Sequence, residues 1–230
     1  MANIFIIIQA RMTSTRLKDK VMLPLCGKTV LEIMLDRLKD FKNNIIIATT
    51  NDGTQKPIVE LCKKLDIKYY EGNTNNVLSR YYQSALKFNV EENDIIVRCT
   101  SDCPLIDSSI LMQTISYFEK NNCDYASASQ ASGFPRGMDT EVFRFKLLKK
   151  TYFNAITNYE KEHVTPYIYK TIKNELNIQL LKNSKDHSRY RLTLDEIDDY
   201  IAIKEIYFKL NNRVNFSYKR IKISIRLILM

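Results

Sequence analysis

The chain has 230 residues, is 45% hydrophobic and 27% charged, and carries only 5 Gly and 5 Pro, a composition that excludes disordered, collagen-like and fibrous chains. No apolar run approaches the ~20 residues that cross a bilayer, so no membrane span is expected. The net charge of +9 suggests a polyanionic partner. Five of the cations (Arg213, Lys219, Arg220, Lys222, Arg226) follow residue 210, where no acid occurs, and without them the balance is +4. Specific nucleic-acid binding is therefore not expected.

Met1 to Ala10 has no basic leader and runs straight into Arg11, so it reads as a buried strand and not as an export signal. The odd number of scattered cysteines (Cys26, Cys62, Cys99, Cys103, Cys123) predicts reduced thiols in a cytoplasmic protein. Cys99 and Cys103 have no second Cys/His pair to complete a zinc site.

Ile4 to Ile8 is a continuous Ile-rich run, as in a strand covered on both faces. Leu31, Met34, Leu35 and Leu38 recur at helical spacing. Ile45 to Ala48 is a second buried strand, followed by Ile58, Leu61, Cys62 and Leu65 on one helical face. A short strand is predicted at Ile67 to Tyr70, a helix through Val77, Tyr81, Ala85 and Phe88, and a strand at Ile95 to Val97. Asp107 suits the N-cap of a helix carrying Ile110, Met112, Ile115 and Phe118. Such alternation predicts an α/β fold, a mostly parallel sheet with helices on both faces. Ligands in such sheets bind beyond the carboxyl ends of the strands, here Gln9–Lys20, Thr49–Gly53 and Thr100–Pro104.

The second half is less regular. A loop is expected over 129–141, with Gly133 and Gly137, then helices near 144–154 and 160–173, strands near 177–181 and 189–193, and a helix over 196–210. The domain is read as 1–210, with a basic tail over 211–230. The tail's alternation of apolar and basic residues is compatible with an edge strand, a helix, a membrane-surface segment or a packed terminus.

Chemistry is sought in the loops. The segment from Gln9 to Lys20 interleaves Arg11, Arg16 and Lys20 with Thr13, Ser14 and Thr15, cations and hydroxyls suited to a phosphate chain. It has neither the glycines of a Walker A loop nor those of a dinucleotide-binding fingerprint. Asp102, in Thr100-Ser101-Asp102-Cys103-Pro104, sits at a strand end where one or two carboxylates suffice for Mg2+. Asp195, between an expected strand and an expected helix, is either a second metal ligand or a helix cap. The loop Gly133 to Glu141 combines turn residues with Arg136, Asp139 and Glu141, which suit sugar hydroxyls or merely build a turn. Neither His163 nor His187 carries a role on its own.

Together these motifs become recognisable. Gln9-Ala10-Arg11 with Ser14-Thr15-Arg16-Leu17 and Lys20 resembles the signature loop of the sugar cytidylyltransferases, among them the 3-deoxy-manno-octulosonate and acylneuraminate enzymes. The resemblance continues through Val77-Leu78-Ser79-Arg80-Tyr81, Arg98, Asp102-Cys103-Pro104-Leu105-Ile106-Asp107 and Gly137 to Phe143. It ends with Glu162-His163-Val164-Thr165-Pro166-Tyr167 and Arg191-Leu192-Thr193-Leu194-Asp195. The pattern is that of the branch typified by spore coat polysaccharide biosynthesis protein F, in order over about residues 3 to 210.

The resemblance implies a Rossmann-like three-layer α/β/α sandwich with a mostly parallel mixed sheet. It also implies transfer of a nucleotide, CMP from CTP, onto a sugar such as a nonulosonic acid, with release of pyrophosphate. Carried across, Gln9, Ala10, Arg11, Ser14, Thr15, Arg16, Lys20, Arg80, Thr100 and Ser101 hold the nucleotide, and Arg136, Asp139, Glu141 and His163 face the sugar. Asp102 and Asp195 hold Mg2+, while Arg16, Lys20 and Asp102 are the catalytic set. A homodimer is compatible with the resemblance; a transferase using GTP and a non-catalytic binding protein of the same fold are the alternatives. One departure stands out. Leu17-Lys18-Asp19-Lys20 replaces the family's Leu-Pro-Gly-Lys, which predicts altered geometry where glycine's freedom is used.

Overall fold

The computed structural model describes residues 2–221. In chain order it comprises β1 (Ile4–Gln9), a small hairpin of β2 (Pro24–Leu25) and β3 (Lys28–Thr29), α1 (Val30–Arg37), β4 (Ile45–Thr50), α2 (Lys56–Leu65), β5 (Lys68–Gly72), α3 (Val77–Lys87) and β6 (Ile95–Thr100). Then follow α4 (Ser108–Lys120), β7 (Tyr125–Ala128), β8 (Thr140–Arg144), α5 (Phe145–Asn154), α6 (Asn158–His163), β9 (Ile178–Leu180) and α7 (Ile197–Lys209).

The main sheet has the order β5-β4-β1-β6-β8-β7-β9. It is parallel except at β8, which runs against both β6 and β7. Along β1 the isoleucines alternate between two cores: Ile6 and Ile8 meet α1, α2 and α4, whereas Ile7 meets α3 and the α5–α6 region. That is why the run reads as uninterrupted apolar sequence, since each face of the strand is buried under its own helical layer. Side chains on α3 (Val77, Leu78, Tyr81, Ala85) and α5 (Leu147, Leu148) complete the second layer. The sheet and its two coats form the three-layer α/β sandwich expected from the sequence. From β1 the chain builds outward to β4 and β5 and then crosses back to place β6 on the other side of β1, so the crevice beyond the carboxyl end of β1 lies at the topological switch point.

A third cluster underlies the hairpin. Leu25, Val30, Ile33, Leu105, Phe134, Met138, Leu192 and Leu194 pack with Ile203, Ile206 and Tyr207 of α7. Residues 214–221 belong to it as well: Phe216, Tyr218 and Ile221 are buried. Arg37 clamps them, donating to Val214 O at 2.6 Å and Phe216 O at 3.1 Å and stacking on the Phe216 ring at 4.1 Å. The first part of the basic tail is thus a packed segment, because its aromatic residues find an apolar face; the rest, from residue 222, lies outside the described residues.

Several expectations are corrected. No strand forms over 189–193; a single parallel bridge joins Arg136 to Arg191. The expected helix over 160–173 is broken after His163, where Val164 takes φ 71°, ψ −58° in a γ-turn closed by Thr165 N–H to His163 O at 2.9 Å. Pro166 adds to the break, since it disfavours helical backbone at Thr165 and has no N–H to donate back to Glu162. β7 and β8 were not foreseen. β7 is four residues of Tyr-Ala-Ser-Ala, too short and small to show a period. Asp107 does cap α4, its Oδ1 accepting from Ser109 N at 2.8 Å. Among the described residues no helix is long and apolar enough to cross a membrane, and all five cysteines are free.

Candidate active site

A cavity of about 860 Å³ opens beyond the carboxyl ends of β1 and β6. Every residue that the family resemblance assigned to the site lines it, though Thr13 and the Thr49–Gly53 strand end do not: Gln9, Ala10, Arg11, Ser14, Thr15, Arg16 and Lys20 come from the first loop, and Thr100, Ser101 and Asp102 from the end of β6 and the loop after it. Arg80 from α3, Arg136, Asp139 and Glu141 around β8, His163 at the end of α6, and Asp195 before α7 complete the set.

The first loop is held by its own backbone. Asp19 N–H donates to Met12 O at 3.3 Å, and Met12 is buried beneath it. Asp19 itself adopts φ 53°, ψ 23°, the left-handed conformation that glycine takes freely. Aspartate is among the few other residues that tolerate it. Lys20 then begins a short helical turn that aims its side chain into the cavity.

Asp102 and Asp195, far apart in sequence, meet here. Leu194 N–H donates to Asp102 O at 2.7 Å, and Thr193 Oγ1 approaches the same carbonyl at 3.3 Å. The loop after β6 and the approach to α7 are thus laced together. A second lacing joins Arg136 N–H to Tyr190 O (3.1 Å) and Leu192 N–H to Arg136 O (2.7 Å). Gly137 makes that approach possible: at φ 102°, a Cβ there would lie 2.5 Å from the Leu192 carbonyl carbon. Asp195 is not the helix cap. Asp199 Oδ2 accepts from both Asp195 N and Glu196 N at 2.9 Å, which leaves the Asp195 carboxylate free to face the cavity.

The Lys20 ammonium bridges the two acids, 2.8 Å from Asp102 Oδ2 and 2.9 Å from Asp195 Oδ1. Arg16 reaches Asp195 at 2.9 Å and Arg136 reaches it at 3.1 Å. Arg191, which the sequence reading did not select, approaches it at 3.7 Å while pairing with Asp199 at 2.7 Å. Burial alone would raise the Asp195 carboxyl; the hydrogen bond and charge of Lys20, with Arg16 and Arg136, hold it below its ordinary value.

The opposite wall is different. Glu141 accepts from Arg98 Nη1, from the Tyr125 hydroxyl and from Thr165 Oγ1, the last at 2.8 Å. Arg98 also donates to Gln9 Oε1 at 3.2 Å. Burial works against the Arg98 charge, but the Glu141 carboxylate keeps its pKa raised. Burial, with Glu141 beside it, lifts the Tyr125 hydroxyl well above its usual range. Glu141, expected at the sugar, therefore already has three protein partners. Tyr125 was missed because β7 was missed. Arg80 is nearly fully buried and spends its Nη1 on Asn73 O (2.6 Å) and Thr74 O (2.8 Å), pinning the turn before α3.

Near β8, Asp139 accepts from Gly137 N at 2.8 Å, and burial raises its carboxyl. His163 is exposed and stands against the Tyr159 ring at 4.6 Å. Cys103 also lines the cavity, but burial drives its thiol far above its usual range, and Cys99 rises to about 12; neither is a thiolate nucleophile.

The donor set fits a hard divalent cation. Two carboxylates converge from separate segments, and a positive group already lies between them. Magnesium takes one or two such ligands and completes its shell with water and phosphate oxygens. Among the described residues no group of three or more His, Cys, Asp or Glu side chains is placed to enclose a metal without such help.

A family model described as cytidylyltransferase matches residues 5–223. The chain belongs to the cytidylyltransferase family. The spore coat polysaccharide biosynthesis protein SpsF of Bacillus subtilis is 30% identical over 226 residues, covering 94% of this cytidylyltransferase and 91% of that protein. An uncharacterized protein of Methanocaldococcus jannaschii is 41% identical over 204 residues, or 87% and 81% of the two chains. A solved cytidylyltransferase structure from Leptospira borgpetersenii superposes with a TM-score of 0.92 at 36% identity, covering 98% of this chain and 94% of that one. The resemblance read from the motifs thus holds over nearly the whole chain, and the protein is a transferase.

Proposed function

We propose that the chain transfers CMP from CTP to an acidic sugar, with release of pyrophosphate, to activate that sugar for a surface polysaccharide or glycan. The observation that carries this reading is the convergence of Asp102 and Asp195 on one cation beside the loop of Arg16 and Lys20. The family supports the nucleotide, and the similarity to the Bacillus spore coat polysaccharide biosynthesis protein supports the polysaccharide.

In this reading the triphosphate lies along the first loop. Ser14 and Thr15 offer hydroxyl donors, while Arg11, Arg16 and Lys20 neutralise charge, including that which develops on the departing pyrophosphate. Asp102 and Asp195 would hold Mg2+, which supplies charge stabilisation at the phosphates. A sugar hydroxyl oxygen forms the new bond to the α-phosphorus, and the bond to the bridging oxygen breaks as pyrophosphate leaves. The hydroxyl proton passes to a carboxylate on the sugar side. Asp139 suits that task because burial raises its affinity for a proton. Arg136, whose guanidinium is half exposed, meets the sugar's carboxylate, and His163 lines the same end. Alignment and charge stabilisation do most of the work in such transfers.

The test is pyrophosphate release across four nucleoside triphosphates and a panel of acidic and neutral sugars, with Mg2+ or EDTA. Release is expected only with CTP, an acidic sugar and metal. Asp102→Asn should lower kcat by roughly 10²–10³-fold with a much smaller change in KM for CTP. Near-normal turnover by that variant rules the assignment out.

A further inference from the structure

Lys20 occupies a position that its expected role does not explain. A lysine that served only the triphosphate would be free to reach outward, yet this side chain is only 12% exposed and its ammonium is held by two carboxylates. The oxygens it engages, Asp102 Oδ2 and Asp195 Oδ1, are the ones a divalent cation would need. The acids do not depend on Lys20 to be close. The Leu194–Asp102 backbone hydrogen bond and the Asp199 cap place them independently. Two such carboxylates, with Asp195 only 3% exposed, repel each other unless a positive charge lies between them. Lysine suits a temporary occupant, being a point charge on a flexible four-carbon stem that can leave without disturbing the backbone.

We infer that Lys20 is the resident counter-cation of the Asp102–Asp195 pair, and that it gives up both carboxylates to a divalent cation as its ammonium transfers to the phosphates of the incoming nucleotide. The inference rests on the proposed nucleotidyl transfer and deepens it. Before the exchange the two carboxylates are balanced by Lys20 together with Arg16 and Arg136; after it they are balanced by the metal. Lys20 and Arg16 are then available to a polyanion. Metal and nucleotide therefore bind weakly apart and strongly together, since each removes the competitor of the other. By linkage the coupling is equal in both directions.

This predicts a sign that a simple phosphate-binding lysine does not. Mn2+ binding, followed by loss of the free-ion electron paramagnetic resonance signal, is measured on the wild-type chain, Lys20→Met, Lys20→Gln and Lys20→Arg, without nucleotide. Both neutral variants should bind Mn2+ alone roughly ten-fold more tightly than wild type, and Lys20→Arg should stay near wild type. Their affinity for CTP in EDTA should fall. Thermal melting gives a second readout: Mn2+ should raise the Tm of the neutral variants more than that of wild type. If the neutral variants bind Mn2+ no more tightly than wild type while wild type still binds Mn2+ with CTP, the exchange is wrong and the metal-site reading survives. If no form binds Mn2+ with or without CTP, both fall. Should neither neutral variant fold, calorimetry on wild type decides: CTP affinity independent of Mn2+ overturns the exchange, and affinity that rises roughly ten-fold with Mn2+ supports it.

Discussion

The carboxylates around Lys20 and the carboxylate of Glu141 stand on walls of the same cavity, yet they are built in opposite ways. Asp102 and Asp195 come from loops, and their partners Arg16 and Arg136 are about half exposed. Glu141 comes from the middle of the sheet, on β8 between β6 and β7, and its partners are Arg98 of β6, Tyr125 of β7 and Thr165 behind the γ-turn. The first group sets three cations around two acids, and the two arginines, being about half exposed, can change partners cheaply as ligands arrive. The second is a desolvated pair with added hydroxyl donors, in which every loss leaves a charge stranded. One wall is arranged for exchange and the other for rigidity. The rigid wall also orients its neighbour, since Arg98 holds Gln9 at the end of β1, where the exchanging loop begins.

The contrast can be broken most forcefully at Glu141. Glu141→Gln leaves Arg98 buried without its counter-charge and should cost about 3–5 kcal/mol. Differential scanning calorimetry should show a Tm drop on the order of 10 °C. If activity vanished while the Tm held, Glu141 would be a substrate ligand like those opposite, and the distinction would fail. A smaller effect is expected where the loops are laced together. Gly137→Ala combines a positive φ with a Cβ 2.5 Å from the Leu192 carbonyl carbon, and should destabilise by about 2 kcal/mol or more. Because that strand-like contact carries the approach to Asp195, urea denaturation should show the loss of stability and turnover assays a fall in kcat together. Unchanged turnover would mean the lacing does not position the acids. The smallest effect belongs to Asp19→Gly. Relief of its left-handed backbone, partly offset by glycine's greater entropy when unfolded, should raise stability by about 0.5 kcal/mol and the Tm by one or two degrees. A loss of stability instead would show that the Asp19 side chain supports the loop.

Much of the left side of the sheet was legible from periodicity. β1, β4 and β6 are Ile-rich runs covered on both faces, and α1 to α4 announce themselves by helical spacing and by the Asp107 cap. The right side was not. β7 is too short to show alternation, and β8, Thr140 to Arg144, sits directly before α5 without a turn to mark the change of period. The residues chosen for the site were chosen by chemistry and loop position, and all of them reach the cavity wall. Arg98 was noted only as part of a motif, Tyr125 not at all, and Arg191 only in passing. Nothing local in the sequence distinguishes a buried arginine that needs a partner from one that meets solvent.

By itself the sequence determined the alternation of strands and helices, the basic first loop and the acids available to it, because these depend on residue type and on spacing within one element. Tertiary structure alone decided which acids meet, what stands between them and which carboxylate is already spoken for. Those are matters of distance between segments far apart in the chain, 175 residues in the case of Lys20 and Asp195, and they follow from how backbone hydrogen bonds between loops close the space, a property that no short stretch of chain contains.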